Sequence, residues 1–208
     1  MSEQDETSST VYSERYVVFL DILGFGEIVR NSVRAPAQAA ELVRILNRIS
    51  GRTEPLEYDR LFGADFKAQS FSDCILLSAS ASDSGLEHLL YVVYNLAFDL
   101  LANGILTQGG IAKGELHHSD KIVFGPALIK AYDLERRIAE FPRIVVDKAT
   151  HDDFKRLVQQ GRQSQMAAGF EAQLMPNEDG PFSVDIFAPL RDLSGAPPER
   201  LLVAGAAC

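Results

Sequence analysis

The segment YVVFLDILGFGEIVRNSV (16–33) is the most informative part of the sequence, because it changes from a strand pattern to a helix pattern across a glycine-bearing turn. Its first part, YVVFLD (16–21), is β-branched and aromatic, which is typical of a buried strand. The strand is expected to stop before Gly24, and residues 25–33 are expected to form a short helix. Glycine lets the backbone approach a ligand closely, and a helix that begins there directs its amide groups at anions. The stretch therefore predicts a strand, a turn and a helix, with Asp21 at the end of the strand.

A second stretch, DFKAQSFSDCILLSA (65–79), predicts a tight hairpin. Its two β-type runs, 65–71 and 74–79, are separated only by Ser72 and Asp73. A two-residue polar insert between such runs is typical of a hairpin turn. We therefore expect Asp73 to lie at the tip.

Helix and strand patterns alternate along the rest of the chain. The other predicted elements, in chain order, are a helix from Pro36 closed by Gly51, a loop at 52–64, an amphipathic helix with a capping box at Ser84–Glu87 that ends at Gly104, strands at 107–115 and 121–125, a charged helix stopped by Pro142, a strand at 143–147, a short helix capped at Thr150, a loop at 162–180 and a strand at 182–187. This order predicts an α+β sandwich with a mixed or antiparallel sheet.

The composition favours one folded domain. The chain has 208 residues, of which 46% are hydrophobic, enough for a real core. We expect a disordered N-terminal arm over 1–13, the folded domain over 14–190 and a C-terminal tail over 191–208. No uninterrupted apolar run is long enough to cross a membrane, and the polar N-terminus does not resemble a signal peptide.

The charge balance excludes one class of partner. With 20 Lys and Arg against 29 Asp and Glu, the net charge is −9, and duplex nucleic acid requires a basic face. Cys74 and Cys208 lie far apart, which argues against a disulfide framework and favours a reducing compartment. A cytoplasmic location is therefore expected.

Two aspartates at strand boundaries are the sharpest chemical feature. If the strands that carry Asp21 and Asp73 are neighbours in one sheet, their carboxylates converge at one end of it. Such a pair can hold Mg²⁺ or Mn²⁺, which favour oxygen ligands. Taken singly, each aspartate is better explained by a helix cap or an Asx-turn, whereas the two together with the glycine turn favour a functional site.

The motif order resembles a known family. The matching segments are FLDILGF (19–25), FSDCILLSA (71–79), GGIAKGELHH (109–118) and VFGPALIKAYDLERR (123–137). Together they resemble the class III nucleotidyl cyclase catalytic domain, most closely the bacterial pyrimidine cyclases of the Pycsar antiphage defence systems. The resemblance covers roughly residues 16–146. It implies a sheet with helices packed on it around a ferredoxin-like βαββαβ core, and a homodimer with composite active sites.

The resemblance also implies the residues of the site. Asp21, Asp73 and the backbone carbonyl of Ile22 would hold two Mn²⁺ or Mg²⁺ ions per site. The phosphates of the nucleotide would lie on the backbone amides of the following turn, which comprises Leu23, Gly24, Phe25 and Gly26.

The chain departs from the purine cyclases of this family at three positions. Their base-recognising Lys or Glu corresponds to Gln69, a neutral amide that is compatible with a pyrimidine. Their transition-state Asn and Arg correspond to Ile129 and Asp133, which cannot supply that chemistry.

Tyr58 is a candidate for stacking on the base, although a packed loop aromatic explains it equally well.

Lys130 and Arg137 are the candidate catalytic residues, because they could bring positive charge to the reacting phosphate. Arg136 lies on the same helix. The alternative is a solvated helix face whose cations pair with Asp133, Glu135 and Glu140.

These inferences predict a uridylate cyclase. It would convert UTP into 3′,5′-cyclic UMP and pyrophosphate, and the product would signal to a separate effector protein in antiphage defence. A cytidylate cyclase, a divergent purine cyclase and an inactive nucleotide-binding domain are the alternatives.

Overall fold

One mixed β-sheet organises the chain. The computed structural model describes residues 11–50, 65–159 and 174–186. Its strands are β1 (Ser13–Ile22), β2 (Phe66–Phe71), β3 (Cys74–Ser80), β4 (Thr107–His118), β5 (Val123–Phe124), β6 (Ile144–Val146), β7 (Leu174–Pro176) and β8 (Phe182–Val184). Its helices are α1 (Phe25–Ser32), α2 (Pro36–Ser50), α3 (Asp83–Ala102), α4 (Pro126–Ile138) and α5 (Lys148–Gln159).

The strand order is β2-β3-β1-β4-β6-β8-β7, and β5 pairs with β4 outside this path. The β4–β6 pair is parallel, and the other described pairs are antiparallel. The first four strands, with their helices, form the expected ferredoxin-like βαββαβ core. The predicted α+β class is therefore confirmed.

Alternation along β1 divides the core between the two faces of the sheet. Tyr16, Val18, Leu20 and Ile22 are buried in the larger cluster, which α3 completes with its apolar side chains. Val17 belongs to a smaller cluster on the other face, where α4 packs. Asp21 continues this second series, so its side chain lies on the face that α4 covers in part.

Gly110 in β4 lets α4 lie directly on the sheet. A Cβ atom at this position would lie 2.2 Å from the carbonyl oxygen of Ala131 and 2.7 Å from the Cβ of Leu134. Both of these atoms belong to α4, and the carbonyl is backbone that cannot turn aside. The close approach of helix and sheet therefore depends on the missing side chain.

A polar cluster fixes α5 against the sheet. The Tyr16 hydroxyl donates to Asp153 at 2.8 Å, and the Lys113 ammonium donates to the same carboxylate at 2.9 Å. Arg156 joins Asp153 to Asp83 at the start of α3. Side chains of β1 and β4 thus anchor α5, and α5 in turn is tied to the first turn of α3.

The structure corrects three local predictions. The cap of α3 is Ser82, whose hydroxyl accepts from the Gly85 amide, and not Ser84. The carboxylate of Asp147 accepts from the Thr150 amide at 2.8 Å, so α5 begins two residues before the expected cap. Residues 174–176, which were expected to lie in a loop, form β7 because they pair with β8.

Other expectations have mixed outcomes. The hairpin at Ser72 and Asp73 is confirmed, with Ser72 at φ 57°. The predicted strand at 121–125 is reduced to two residues. The loop at 52–64, residues 1–10 of the predicted arm and the predicted tail at 191–208 lie outside the described residues, whereas Ser13 of the predicted arm belongs to β1. Among the residues that the structure describes, none of the helices combines the length and apolar character that crossing a membrane requires.

Gly110→Ala should destabilise the protein by about 1–3 kcal/mol, the usual cost of overpacking a close contact. Urea denaturation followed by circular dichroism measures this change. Gly26→Ala is the matched control, since a Cβ there meets only the end of the flexible Arg30 side chain, at 3.6 Å. Equal stability of the two variants would contradict the tight seating of α4.

Candidate metal and phosphate site

The two predicted aspartates meet at one end of the sheet. Asp21 pairs across the strands with Cys74, the residue that follows Asp73. The Ile22 amide donates to the Asp73 carbonyl at 3.1 Å, which ties the end of β1 to the hairpin turn. As a result, one ligand atom from each of Asp21, Asp73 and Cys74 lies within 4.8 Å of the others. Within the described ranges, this is the one group of three or more such side chains close enough to share a metal ion.

The electrostatics of this group are unfavourable without a cation. Burial, the negative charge of Asp73 and that of Glu135 together raise the pKa of Asp21 to about 6. Burial and the same neighbouring carboxylates also raise the pKa of the Cys74 thiol. Like charges are therefore held together in a half-buried place, which disfavours the ionised forms of Asp21 and Cys74.

A divalent cation fits these donors. Carboxylate oxygens are the ligands that Mg²⁺ and Mn²⁺ prefer, and positive charge would relieve the repulsion that raises the pKa of Asp21. The residues present are therefore chemically suited to the metal that the sequence predicts.

The turn after Asp21 presents a helix start beside this group. Gly24 has a left-handed backbone, with φ 71°, and its carbonyl accepts from the amides of Glu27 and Ile28. The Leu23 amide donates to the Leu106 carbonyl at 2.9 Å, so it is engaged within the fold. The amides of the first turn of a helix have no intrahelical acceptor, which leaves those of 24–26 for an anion.

Gln69 lies on β2, on the same hairpin as Asp73. Its Nε2 donates to the carbonyls of Ser119 at 3.3 Å and Asp120 at 3.0 Å. Its Oε1 makes no hydrogen bond with any described residue. The amide is therefore oriented by the backbone of 119–120. Tyr58, the other candidate for base binding, lies outside the described residues.

Lys130 and Arg137 do not pair with Asp21 or Asp73 of their own chain. Lys130 forms an ion pair with the buried Asp147, and Arg137 contacts Asp133 at 3.2 Å. The expected pairing of Arg137 on a solvated helix face is therefore confirmed for Asp133. It is wrong for Glu135, which is buried.

Two residues of this region were not predicted from the sequence. Gln108 lies directly across from Asp21 in the β1–β4 register, and its Nε2 donates to a carboxylate oxygen of Glu135 on α4. A signal for Glu135 is present in the chain, because the buried face of α4 is formed by Ala127, Ala131 and Glu135, spaced four residues apart. An acidic residue in such an apolar stripe indicates a buried carboxylate.

The histidine pair at the end of β4 makes contacts within the fold. His117 contacts the Val11 carbonyl at 2.9 Å, and His118 contacts the Ser78 hydroxyl at 2.7 Å. Burial and the nearby Arg15 lower the pKa of His118 to about 4, so its ring is neutral at physiological pH.

Comparison with known proteins identifies the fold. No protein-family model matches the sequence, and no curated protein matches it. Among solved structures, the chain is similar to the monomeric guanylyl cyclase domain of the RhoGC fusion protein from the aquatic fungus Blastocladiella emersonii, with TM-score 0.55 and 15% identity over 83% of this chain and 95% of that chain.

Two bacterial light-regulated adenylyl cyclases are also similar. Their TM-scores are 0.52 and 0.50, with 13% and 14% identity. The matches cover 84% and 85% of this chain and 52% of each of those chains, so this chain spans about half of their length. The fold is that of a class III nucleotide cyclase catalytic domain. The part of the expected resemblance that concerns the fold is thereby confirmed.

In the metal-free protein, Asp21→Asn should increase the free energy of unfolding at pH 7.5. The folded state raises the pKa of Asp21, so the carboxyl group stabilises the folded state only while it is protonated. This contribution is lost as the pH rises through about 6, and the advantage of the variant should vanish near pH 4, where the folded wild type carries a protonated carboxyl. Urea denaturation in EDTA at both pH values measures the difference.

Asp152→Asn is the control, because the pKa of Asp152 is lowered in the folded state and not raised. Asp152 is exposed on α5, where hydrogen bonding to Lys148 lowers its pKa, so its ionised form is favoured by folding. This substitution should leave stability unchanged or reduce it slightly at pH 7.5. A loss of stability in Asp21→Asn at that pH would contradict the electrostatic account of the site.

Proposed function

We propose that the chain is a metal-dependent nucleotidyl cyclase that converts UTP into 3′,5′-cyclic UMP and pyrophosphate. One observation carries the proposal: the carboxylates of Asp21 and Asp73 converge beside the start of α1 within a class III cyclase fold. A half-buried pair of like charges next to a helix N-terminus is suited to a metal-bound triphosphate. The fold alone would support a cyclase or a binding domain, and the acidic pair favours the cyclase.

Each of the predicted site residues has its own task in the proposed reaction. Asp21, Asp73 and the carbonyl of Ile22 would hold two divalent ions, and these ions would supply the charge that lowers the pKa of the ribose 3′-hydroxyl and neutralises the leaving group. The amides of 24–26 hold the phosphates by hydrogen bonds. The 3′-hydroxyl gives its proton to a solvent water molecule, and its oxygen bonds to the α-phosphorus. The bond from that phosphorus to the oxygen bridging to the β-phosphate breaks at the same time. The products are the cyclic nucleotide and pyrophosphate.

Gln69 supports a pyrimidine substrate. Its Nε2 is occupied by the carbonyls of 119–120, so its Oε1 is the acceptor left for a base. Uracil offers N3–H to such an acceptor, and cytosine offers its exocyclic amino group. The charged residue of a purine cyclase is missing here, and we therefore place UTP first and CTP second. Tyr58 keeps its proposed role of stacking on the base.

Lys130 and Arg137 act on the site of a second copy in this proposal. Both lie on the side of α4 away from the stripe that packs on the sheet, and their contacts are with Asp147 and Asp133. Their charge can reach a reacting phosphate only if that phosphate is bound by another protomer. A homodimer with composite sites meets this requirement.

The signalling role follows from the resemblance to Pycsar cyclases. Cyclic UMP would be a second messenger in the cytoplasm and would bind a separate effector protein during phage infection.

Incubation of the purified protein with each of the four ribonucleoside triphosphates and Mn²⁺ tests the reaction. Mass spectrometry should find cyclic UMP and an equal amount of pyrophosphate. Asp21→Asn and Asp73→Asn should each reduce the rate by at least ~100-fold, equivalent to about 2.7 kcal/mol of lost transition-state stabilisation. Asp152→Asn, which removes an exposed carboxylate on α5, should keep the wild-type rate.

The products distinguish the alternatives. Cyclic CMP or a cyclic purine nucleotide would retain the reaction and overturn the choice of base. Full activity of either aspartate variant would overturn the metal assignment. Metal-dependent binding of UTP without any product would favour an inactive nucleotide-binding domain.

Mixing two inactive variants tests the composite site. Arg137→Ala supplies intact aspartates, and Asp73→Asn supplies an intact α4, so a mixed dimer has one complete site. The mixture should be active although each variant alone is not. Sedimentation velocity of the wild type should show a dimer. A monomer at micromolar concentration, or a mixture without activity, would contradict the composite site.

A further inference from the structure

Helix α4 turns one carboxylate toward the sheet. Glu135 is only 7% exposed, and it lies on the stripe by which α4 packs against β4 and β1. Burying an ionised carboxylate costs free energy unless a positive charge or several hydrogen bonds compensate it. The contacts of Glu135 therefore indicate which role this buried carboxylate has.

The hydrogen-bond partner of Glu135 is a neutral amide. Gln108 donates its Nε2 to Glu135, and none of the ion pairs among the described residues includes this glutamate. The amide orients the carboxylate but does not neutralise it. A group whose only task was to attach α4 to β4 would gain more from an uncharged acceptor, which would avoid the cost of burying a charge.

The neighbours of Glu135 make its charge still less favourable. On this face of the sheet, Cys74, Asp21 and Gln108 stand side by side on β3, β1 and β4, because each is in register with the next. Glu135 lies against the end of this row through Gln108. Its charge is close enough to act on both Asp21 and Cys74. Three carboxylates thus share one region, and none of the ion pairs among the described residues includes any of them.

This excess of negative charge favours the binding of multiply charged cations in the region. The two aspartates carry two negative charges, and Glu135 adds a third from a different element of the fold. Because Gln108 fixes the position of that third charge, it acts at short range on whatever Asp21 and Asp73 bind.

We infer that Glu135, held in place by Gln108, is a positioning residue of the Asp21–Asp73 site, and that its charge tightens the binding of divalent cations by the two aspartates. The inference rests on the proposed role of Asp21 and Asp73 as metal ligands. Glu135 acts through Gln108 and through the electrostatic field of its own charge, and it is not itself a metal ligand. The cost of burying it is offset when cations are bound.

Binding of Mn²⁺ alone, measured by electron paramagnetic resonance on the full chain without nucleotide, tests this inference. Glu135→Gln should weaken Mn²⁺ binding roughly three- to tenfold, as expected for the loss of one charge at short range. Glu140→Gln removes an exposed carboxylate just beyond α4 and should leave the affinity unchanged. Asp73→Asn should weaken the binding far more than either.

Thermal unfolding in EDTA separates the electrostatic role from a structural one. In Glu135→Gln, the new side-chain amide oxygen can still accept from Gln108, so the variant should unfold at the same temperature as the wild type or at a higher one. If the variant unfolds at a lower temperature and binds Mn²⁺ as tightly as the wild type, Glu135 only attaches α4, and the inference is overturned.

A second variant keeps the test decisive if Glu135→Gln does not fold. Gln108→Leu retains the glutamate but removes the amide that holds it, and it should also weaken Mn²⁺ binding severalfold. Unchanged affinity in that variant would overturn the inference. If the Asp21 and Asp73 variants bind Mn²⁺ like the wild type, the proposed metal site itself fails. If Mn²⁺ binding depends on the aspartates but is unchanged in the Glu135 and Gln108 variants, only the proposed role of Glu135 and Gln108 is overturned.

Discussion

Two like charges are held together at one end of the sheet, and the backbone sets their spacing. Antiparallel pairing of β1 with β3 brings Asp21 opposite Cys74, and the bond from the Ile22 amide to the Asp73 carbonyl closes the remaining gap. The aspartates cannot move apart without breaking sheet hydrogen bonds. Their repulsion is therefore built into the fold, and together with burial it accounts for the raised pKa of Asp21.

The rest of the molecule supports this arrangement from both faces. On one side, α3 completes a large apolar cluster that fixes β1. On the other, α4 approaches β4 so closely that Gly110 has no room for a side chain, and this seating brings Glu135 over Gln108. The same helix carries Lys130 and Arg137 on its outer side. One side of α4 thus lies toward Asp21 and Asp73 of the same chain, and the other side, which carries Lys130 and Arg137, lies away from them.

Local sequence patterns predicted the parts of the fold that depend on neighbouring residues. The strand that ends near Asp21, the glycine turn and the two-residue hairpin are local features, and each is confirmed. The convergence of Asp21 and Asp73 required only that their strands be adjacent, which a hairpin-bearing sheet makes a reasonable expectation.

Features that depend on tertiary contacts could not be predicted in this way. Strand β7 exists because β8 lies beside it, and its own sequence, LMP, carries little strand signal. The capping-box pattern at Ser84–Glu87 predicts the wrong serine, because the hydroxyl of Ser82 caps α3 in the folded chain. Glu135 was named only within the alternative of a solvated helix face that pairs with the nearby cations, whereas packing against Gln108 buries it.

The location of Gln69 has a consequence for the evolution of substrate choice. Gln69 lies on β2, the strand at one edge of the sheet, whereas Asp21 lies on an interior strand and Asp73 is tied to that strand by a backbone hydrogen bond. An edge strand has one neighbour, so a substitution there disturbs fewer contacts than one in the interior. If Gln69 and the two aspartates have the roles proposed for them, substitutions on the edge strand can change the base preference without disturbing the strand that holds the proposed metal ligands.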